Sequence, residues 1–126
     1  MSEYTEKHAQ SIGETPEIEV WPNQYKDRDY WIEVSIPEFT CVCPRTGLPD
    51  FATVNIRYIP DETCMELKSL KMYMIAYRNM GIFHENVANK IRDDIIKACN
   101  PRKLEVETDF NIRGGIHTVV KTVYEK

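Results

Sequence analysis

The feature that most constrains this chain is a pair of strand-like runs flanking a stretch stiffened by proline and glycine. Trp31-Ile32-Glu33-Val34-Ser35-Ile36 is rich in β-branched and aromatic side chains and predicts a strand that Pro37 stops. Phe51-Ala52-Thr53-Val54-Asn55-Ile56-Arg57-Tyr58-Ile59 predicts a second strand, ended by Pro60-Asp61-Glu62. The intervening EFTCVCPRTGLPD holds Pro44, Gly47 and Pro49 within a short span, so it reads as a rigid, turn-rich loop. The two runs are expected to pair as an antiparallel hairpin whose wide loop carries Cys43.

Two helical patterns follow. Leu67, Leu70, Met74 and Tyr77 fall at i, i+3, i+7 and i+10, one face of a helix interrupted near Asn79-Met80-Gly81. Phe83, Val87, Ile91 and Ile95 recur every four residues, with Glu85, Asn89, Arg92 and Lys97 opposite, an amphipathic helix that ends near Asn100-Pro101. Leu104, Val106, Thr108 and Phe110 then alternate with charged residues as a strand. After Arg113-Gly114-Gly115, residues 116–124 are apolar on both faces and predict a strand covered on each side. The order β-β-α-α-β-β makes an α+β domain, one antiparallel sheet with helices on one face. Its other face and its edge strands invite further subunits, and a ring or barrel of several copies would cover both. Residues 1–28 carry Pro16, Pro22 and scattered charge with little periodicity. They are expected to be a polar arm, partly disordered or docked on a neighbouring subunit, with the domain spanning residues 29–126.

Composition narrows the function. The 126 residues fit one domain. A formal net charge of −4 argues against non-specific nucleic-acid binding, which needs a basic field. No run approaches the length of a membrane span, and MSEYTEKHAQ lacks the apolar stretch of a secretory signal, so a cytoplasmic location is expected. In that compartment Cys41, Cys43, Cys64 and Cys99 are expected to be reduced thiols. The pair Cys41-Val42-Cys43 has no second C-x-C or C-x-x-C partner, and no metal site is expected.

Four groups of residues have chemistry to offer. Cys43 sits in the stiff loop beside Arg45 and seven residues before Asp50. A thiolate there attacks a carbonyl or nitrile carbon, provided something lowers its ordinary pKa; Arg45 or a bound cofactor would help, and Asp50 would oppose. Asp50 therefore suits proton transfer better than thiolate stabilisation. The alternative for Cys43 is a small apolar residue packed at a strand end. Lys68 and Lys71, three residues apart, attract phosphate on a shared helix face or simply form a solvated face. No G-x-G-x-x-G is present to cradle a dinucleotide. In Phe83-His84-Glu85, the carboxylate at the helix start either caps the helix or accepts two N–H bonds from the amidine-like edge of a guanine analogue.

Together FTCVCPRTGLPDFA, ELKSLKMY, FHE and RGG resemble, in pattern and order, the single-domain nitrile reductases of queuosine biosynthesis, a family of the tunnelling-fold superfamily. The resemblance covers residues 30–124. It implies that Cys43 attacks the nitrile carbon of 7-cyano-7-deazaguanine to form a covalent thioimide, and that Asp50 donates a proton to the nitrile-derived nitrogen. It implies that two NADPH deliver two hydrides, giving 7-aminomethyl-7-deazaguanine. Glu85 would hold the pyrimidine edge with His84 beside it, and Met65, Glu66 and Leu67 would complete the substrate pocket. Lys68 and Lys71 would contact NADPH, and Arg113 its phosphates. The subunits of such enzymes join through their sheets into a barrel, with sites between subunits. Leu67 stands where many relatives have serine, and the N-terminal arm has no clear counterpart.

Three rivals remain at this level. An archaeal amidinotransferase on the same fold uses the same thioimide on nitrile-modified tRNA, but lacks the paired lysines. A pterin-pathway cyclohydrolase of the superfamily needs a zinc set of cysteine and histidine, which His8, His84 and His117 do not supply at a matching spacing from Cys43. A non-catalytic purine-binding oligomer would keep Glu85 but have no need of Cys43 and Asp50 together.

Overall fold

The computed structural model describes residues 13–126. Among these residues, six strands and two helices follow in the order β1 (Val20–Pro22), β2 (Ile32–Val42), β3 (Pro49–Ile59), β4 (Thr63–Met65), α1 (Leu67–Ile75), α2 (His84–Cys99), β5 (Lys103–Phe110) and β6 (Val119–Glu125), with a 3-10 turn at Ala76–Asn79. Strands β2-β3-β5-β6 make one antiparallel sheet in that spatial order, and β1 pairs with β4 in a second, two-stranded one.

The expected hairpin forms, but its first strand does not end at Pro37. It runs on to Val42, and the register with β3 shifts between Ile36 and Phe39. Proline has no N–H to give to a ladder, and the irregularity takes Pro37-Glu38 out of the pairing on an edge strand. Pairing resumes at Phe39↔Ala52 and continues through Cys41↔Asp50. The loop that carries Cys43 is therefore shorter than the sequence pattern predicts. The β1/β4 sheet was not legible in the pattern. Residues 1–12 of the expected polar arm lie outside the described residues. In the remainder, Ile18 is buried against the core and β1 pairs Trp21 with Cys64.

The core lies between one face of the large sheet and the helices. Val54, Ile56, Leu104, Val106 and Phe110 from the sheet join Val87, Ala88, Ile91 and Ile95 from α2, all essentially inaccessible. The four-residue repeat read along α2 is thus its buried stripe. Asn100 ends this helix in the left-handed conformation (φ 41°), which asparagine tolerates, and Pro101 cannot continue it. On α1, Leu70 and Met74 are buried as their spacing predicts, and so is Tyr77 in the turn that follows. Leu67, on the same predicted face, is 62% exposed at the first position of the helix. The Tyr73 hydroxyl donates to Asp94 Oδ2 at 2.5 Å and lies 2.8 Å from the Tyr77 hydroxyl, fastening α1 to α2. Burial pushes both phenols well above their ordinary pKa, so they stay protonated donors.

Strand β6 differs from its expectation. Its residues alternate between exposed and half-buried, and Val119 and Val123 are largely exposed. It is an edge strand with one face toward α2, so half of its apolar side chains face outward. Trp31 and Phe51 are also exposed. No helix among the described residues is long and apolar enough to cross a membrane.

Ile91 lies at the centre of the buried stripe. Ile91→Ala should lower the unfolding free energy by about 3 kcal/mol in urea titration, the usual size for a fully buried aliphatic truncation. A loss below about 1 kcal/mol would place Ile91 outside the packed core.

Candidate functional site

Two backbone hydrogen bonds bring the loop and the helix start together. Val42 N–H donates to Met80 O and Ile82 N–H donates to Val42 O, both at 3.0 Å. They form a short parallel bridge between the end of β2 and the segment leading into α2. Phe83-His84-Glu85 is thereby set beside Cys43. A cleft of about 420 Å³ opens between them, lined by Cys43, Thr46, Asp50, Phe83, His84, Glu85 and Arg113 among others. Five of the ten residues singled out from sequence thus meet in one place.

Cys43 is half-buried. Burial opposes its ionisation, but hydrogen bonds from the Thr46 hydroxyl and from the backbone N–H groups of Thr46 and Arg45 outweigh burial and the nearby Asp50 charge. The net effect holds the thiol below its ordinary value. The help comes from Thr46 and from the Arg45 backbone, where the sequence pointed to the charge of the Arg45 side chain. The other cysteines are free but buried. Burial first, then the charges of Asp50 and Cys43, push Cys41 up to about 12, and burial pushes Cys99 up to about 12. Both stay thiols, in keeping with their packing role.

Asp50 faces the interior at 6% exposure and is held from two sides. His84 Nε2 lies 3.2 Å from its Oδ2, and an Arg113 guanidinium nitrogen donates to its Oδ1 at 2.5 Å. The same Arg113 nitrogen donates to Pro49 O. Arg113, expected from the resemblance to meet cofactor phosphates, is here engaged with Asp50. The His84 ring stacks on Phe110, with centroids 3.7 Å apart and planes 3° from parallel. Neither Thr46 nor Phe110 was picked out from sequence. Phe110 reads there only as a core residue, and Thr46 only as part of a turn. Glu85 is exposed in the first turn of α2, where the helix dipole favours a carboxylate, and it lines the cleft.

The other five residues gather elsewhere. Met65 is buried in β4, its N–H held by the Tyr58 hydroxyl at 3.0 Å. The Glu66 carboxylate caps α1, accepting the N–H groups of Lys68 at 2.9 Å and Ser69 at 2.8 Å, and these bonds lower its pKa. Leu67 and Lys71 line a second cleft of about 400 Å³ between β2 and α1, with Val34, Ile36, Phe39 and Arg78. Lys68 and Lys71 are both exposed. Within one chain this cleft and the Cys43 cleft share no lining residue. Among the described residues no group of three or more His, Cys, Asp or Glu side chains could hold a metal ion.

The model of the QueF-like protein family matches residues 49–126. A protein of Elusimicrobium minutum is 57% identical over 125 residues, 98% of this chain and 94% of that one. Relatives from Chlorobaculum tepidum and Thermomicrobium roseum are 56% and 57% identical over 86% and 87% of this chain, spanning 93% and 86% of theirs. All three are named NADPH-dependent 7-cyano-7-deazaguanine reductase. The chain belongs to the QueF-like family. The E. minutum similarity reaches into the N-terminal arm, for which the sequence alone offered no counterpart. A crystal structure of the archaeosine synthase QueF-Like in its apo form superposes with a TM-score of 0.69, covering 74% of this chain and 91% of that one. At 22% identity it shows the shared tunnelling fold and nothing finer.

The contrast among the thiols has a direct readout. Brief iodoacetamide treatment of the native protein should label Cys43 alone, with a rate midpoint below pH 9.0, the ordinary thiol value. Peptide mapping that finds Cys41 or Cys99 labelled first would contradict this ordering.

Proposed function

We propose that this protein reduces the nitrile of 7-cyano-7-deazaguanine to the primary amine of 7-aminomethyl-7-deazaguanine at the expense of two NADPH, in queuosine biosynthesis. The observation that carries the reading is the meeting in one cleft of a cysteine whose hydrogen bonds lower its pKa, the Asp50 carboxyl held by His84 and Arg113, and the exposed Glu85. The names of the family relatives point the same way. A cytoplasmic location fits this role.

A nitrile is a poor acceptor of hydride. Sulfur addition converts it to a thioimide, whose carbon becomes more electron-poor once its nitrogen is protonated. Cys43 supplies the sulfur, and its hydrogen-bond donors favour the thiolate form that attacks. Asp50 gives a proton to the nitrogen, and His84, 3.2 Å from its carboxylate, sits where it can replenish that proton. Stacking on Phe110 fixes the imidazole plane toward Asp50. Glu85 accepts two N–H bonds from the pyrimidine edge of the base, with Met65, Glu66 and Leu67 completing the pocket.

The nicotinamide supplies hydride when bound. The residues present fit a dinucleotide without a Gly-rich loop: the β2/α1 cleft has apolar walls, with Lys71 and Arg78 on its rim and Lys68 exposed nearby. The backbone donors at the start of α1 are taken by Glu66, so the lysine side chains are the groups left for phosphate. Because the two clefts are separate in one chain, the complete site forms between subunits. The free edges of β2 and β6 offer the means, by pairing sheets of successive copies into a barrel. Nothing in this scheme needs nucleic acid. The amidinotransferase alternative has only the shared fold behind it, and it has no use for Lys68 and Lys71.

Turnover tests the reading. With the nitrile base, the protein should oxidise two NADPH for each amine formed. Asp50→Asn should lower kcat by about 10²–10⁴, the range for a lost general acid, while changing KM little. No NADPH oxidation would remove the reductase reading, and an unchanged kcat would remove Asp50 from the chemistry.

A further inference from the structure

The loop that carries Cys43 is closed on itself. Cys43 N–H donates to Leu48 O and Gly47 N–H donates to Cys43 O, both at 2.9 Å. Gly47 takes φ 73°, which only glycine adopts at little cost, and so turns the chain back. Inside this turn Thr46 Oγ1 accepts the N–H of Leu48 at 3.2 Å. A hydroxyl has one proton and two lone pairs. With an incoming N–H on its oxygen, the Thr46 hydroxyl is oriented to donate, and its proton goes to the Cys43 sulfur. The N–H groups of Arg45 and Thr46 converge on the same atom. Three uncharged donors on one sulfur make a cradle of the kind that steadies an oxyanion in other enzymes.

We propose that Thr46 is a positioning residue for the nitrile chemistry: its hydroxyl, aimed by the Leu48 N–H, holds the sulfur electron pair before attack and receives it again when sulfur leaves the reduced carbon. This rests on Cys43 being the nucleophile. In the attack the sulfur pair forms the C–S bond, one C≡N π pair moves to nitrogen, and nitrogen takes a proton. The donors of the cradle then face a neutral sulfur. After the carbon has gained a hydride and the nitrogen a second proton, the carbon is tetrahedral and bears sulfur, hydrogen and an amino group. The nitrogen lone pair closes to C=N as the C–S bond breaks, and the bonding pair returns to sulfur. The iminium so released takes the second hydride. The sum is one nitrile, two hydrides and two protons to one primary amine. A thiolate that is well held is also a better leaving group, so a single cradle serves both ends of the sulfur cycle. An uncharged cradle suits this cycle better than a lysine or arginine ion pair would, because it leaves no strong unpaired charge while sulfur is neutral.

Thr46→Val removes the hydroxyl and keeps the shape; Thr46→Ser keeps the hydroxyl. Without substrate, the pH midpoint of Cys43 alkylation should move up by roughly one unit in Thr46→Val and stay at the wild-type value in Thr46→Ser. With the nitrile base and NADPH, Thr46→Val should lose about tenfold or more in kcat with KM little changed. Intact mass during turnover should show the hydride-bearing sulfur adduct accumulating in that variant. A Thr46→Val alkylation profile that superimposes on wild type overturns the proposal, as does a Thr46→Ser variant that behaves like the valine one. Labelling that stays confined to Cys43 shows that the variant is folded. If the alkylation shift occurs but wild-type protein forms no adduct with the nitrile, the cradle stands and the assigned substrate fails.

Discussion

The arrangement at this site depends on the short parallel bridge that pins Val42 between Met80 and Ile82. Two hydrogen bonds join the end of the edge strand that leads into Cys43 to the segment that leads into α2. Without them the loop and the helix start would belong to separate parts of the fold. Met80 and Ile82 are both fully buried, so the bridge is held dry and costs little to keep ordered. The antiparallel register does the rest. By pairing Cys41 with Asp50 it places the acid on the interior side of the sheet, one strand away from the thiol.

Burial and loop geometry set Cys43 apart from Cys41 and Cys99. Cys41 and Cys43 are two residues apart, yet burial drives one up to about 12 while a turn of donors brings the other down. The difference comes from loop geometry more than from neighbouring charge. That explains how the pKa of the Cys43 thiol is lowered with an acidic residue, Asp50, nearby. Arg113 and His84 engage both Asp50 oxygens, and the hydrogen bonds to the sulfur outweigh the opposing Asp50 charge.

Where periodicity controls the structure, the sequence was readable. The four-residue repeat of α2 and the alternation of β5 are the buried faces observed. Pro37 misled because an edge strand can carry a proline at an irregularity, and nothing local distinguishes that from a strand end. The apolar run of β6 misled because apolar side chains on an outer edge read like buried ones until the strand order is known. Strands β1 and β4 are three residues each, too short to show a period. At the site, residue types announced Cys43, Asp50 and Glu85, and the family resemblance gathered the rest. Thr46 and Phe110 stayed hidden because a turn hydroxyl and a core ring acquire meaning only from what they touch. The separation of the Glu66–Lys71 group from Cys43 was also invisible, since spacing along a chain says nothing about which subunit completes a pocket.

The proposed chemistry turns on a covalent bond between the Cys43 sulfur and the carbon of the nitrile. The most direct check is intact-mass spectrometry of the wild-type protein mixed with 7-cyano-7-deazaguanine and no NADPH, followed by peptide mapping. The protein should gain the full mass of one base per chain, lodged on the peptide containing Cys43, and Cys43→Ala should gain nothing. A wild-type protein that stays unmodified, or an adduct that survives in Cys43→Ala, would contradict it.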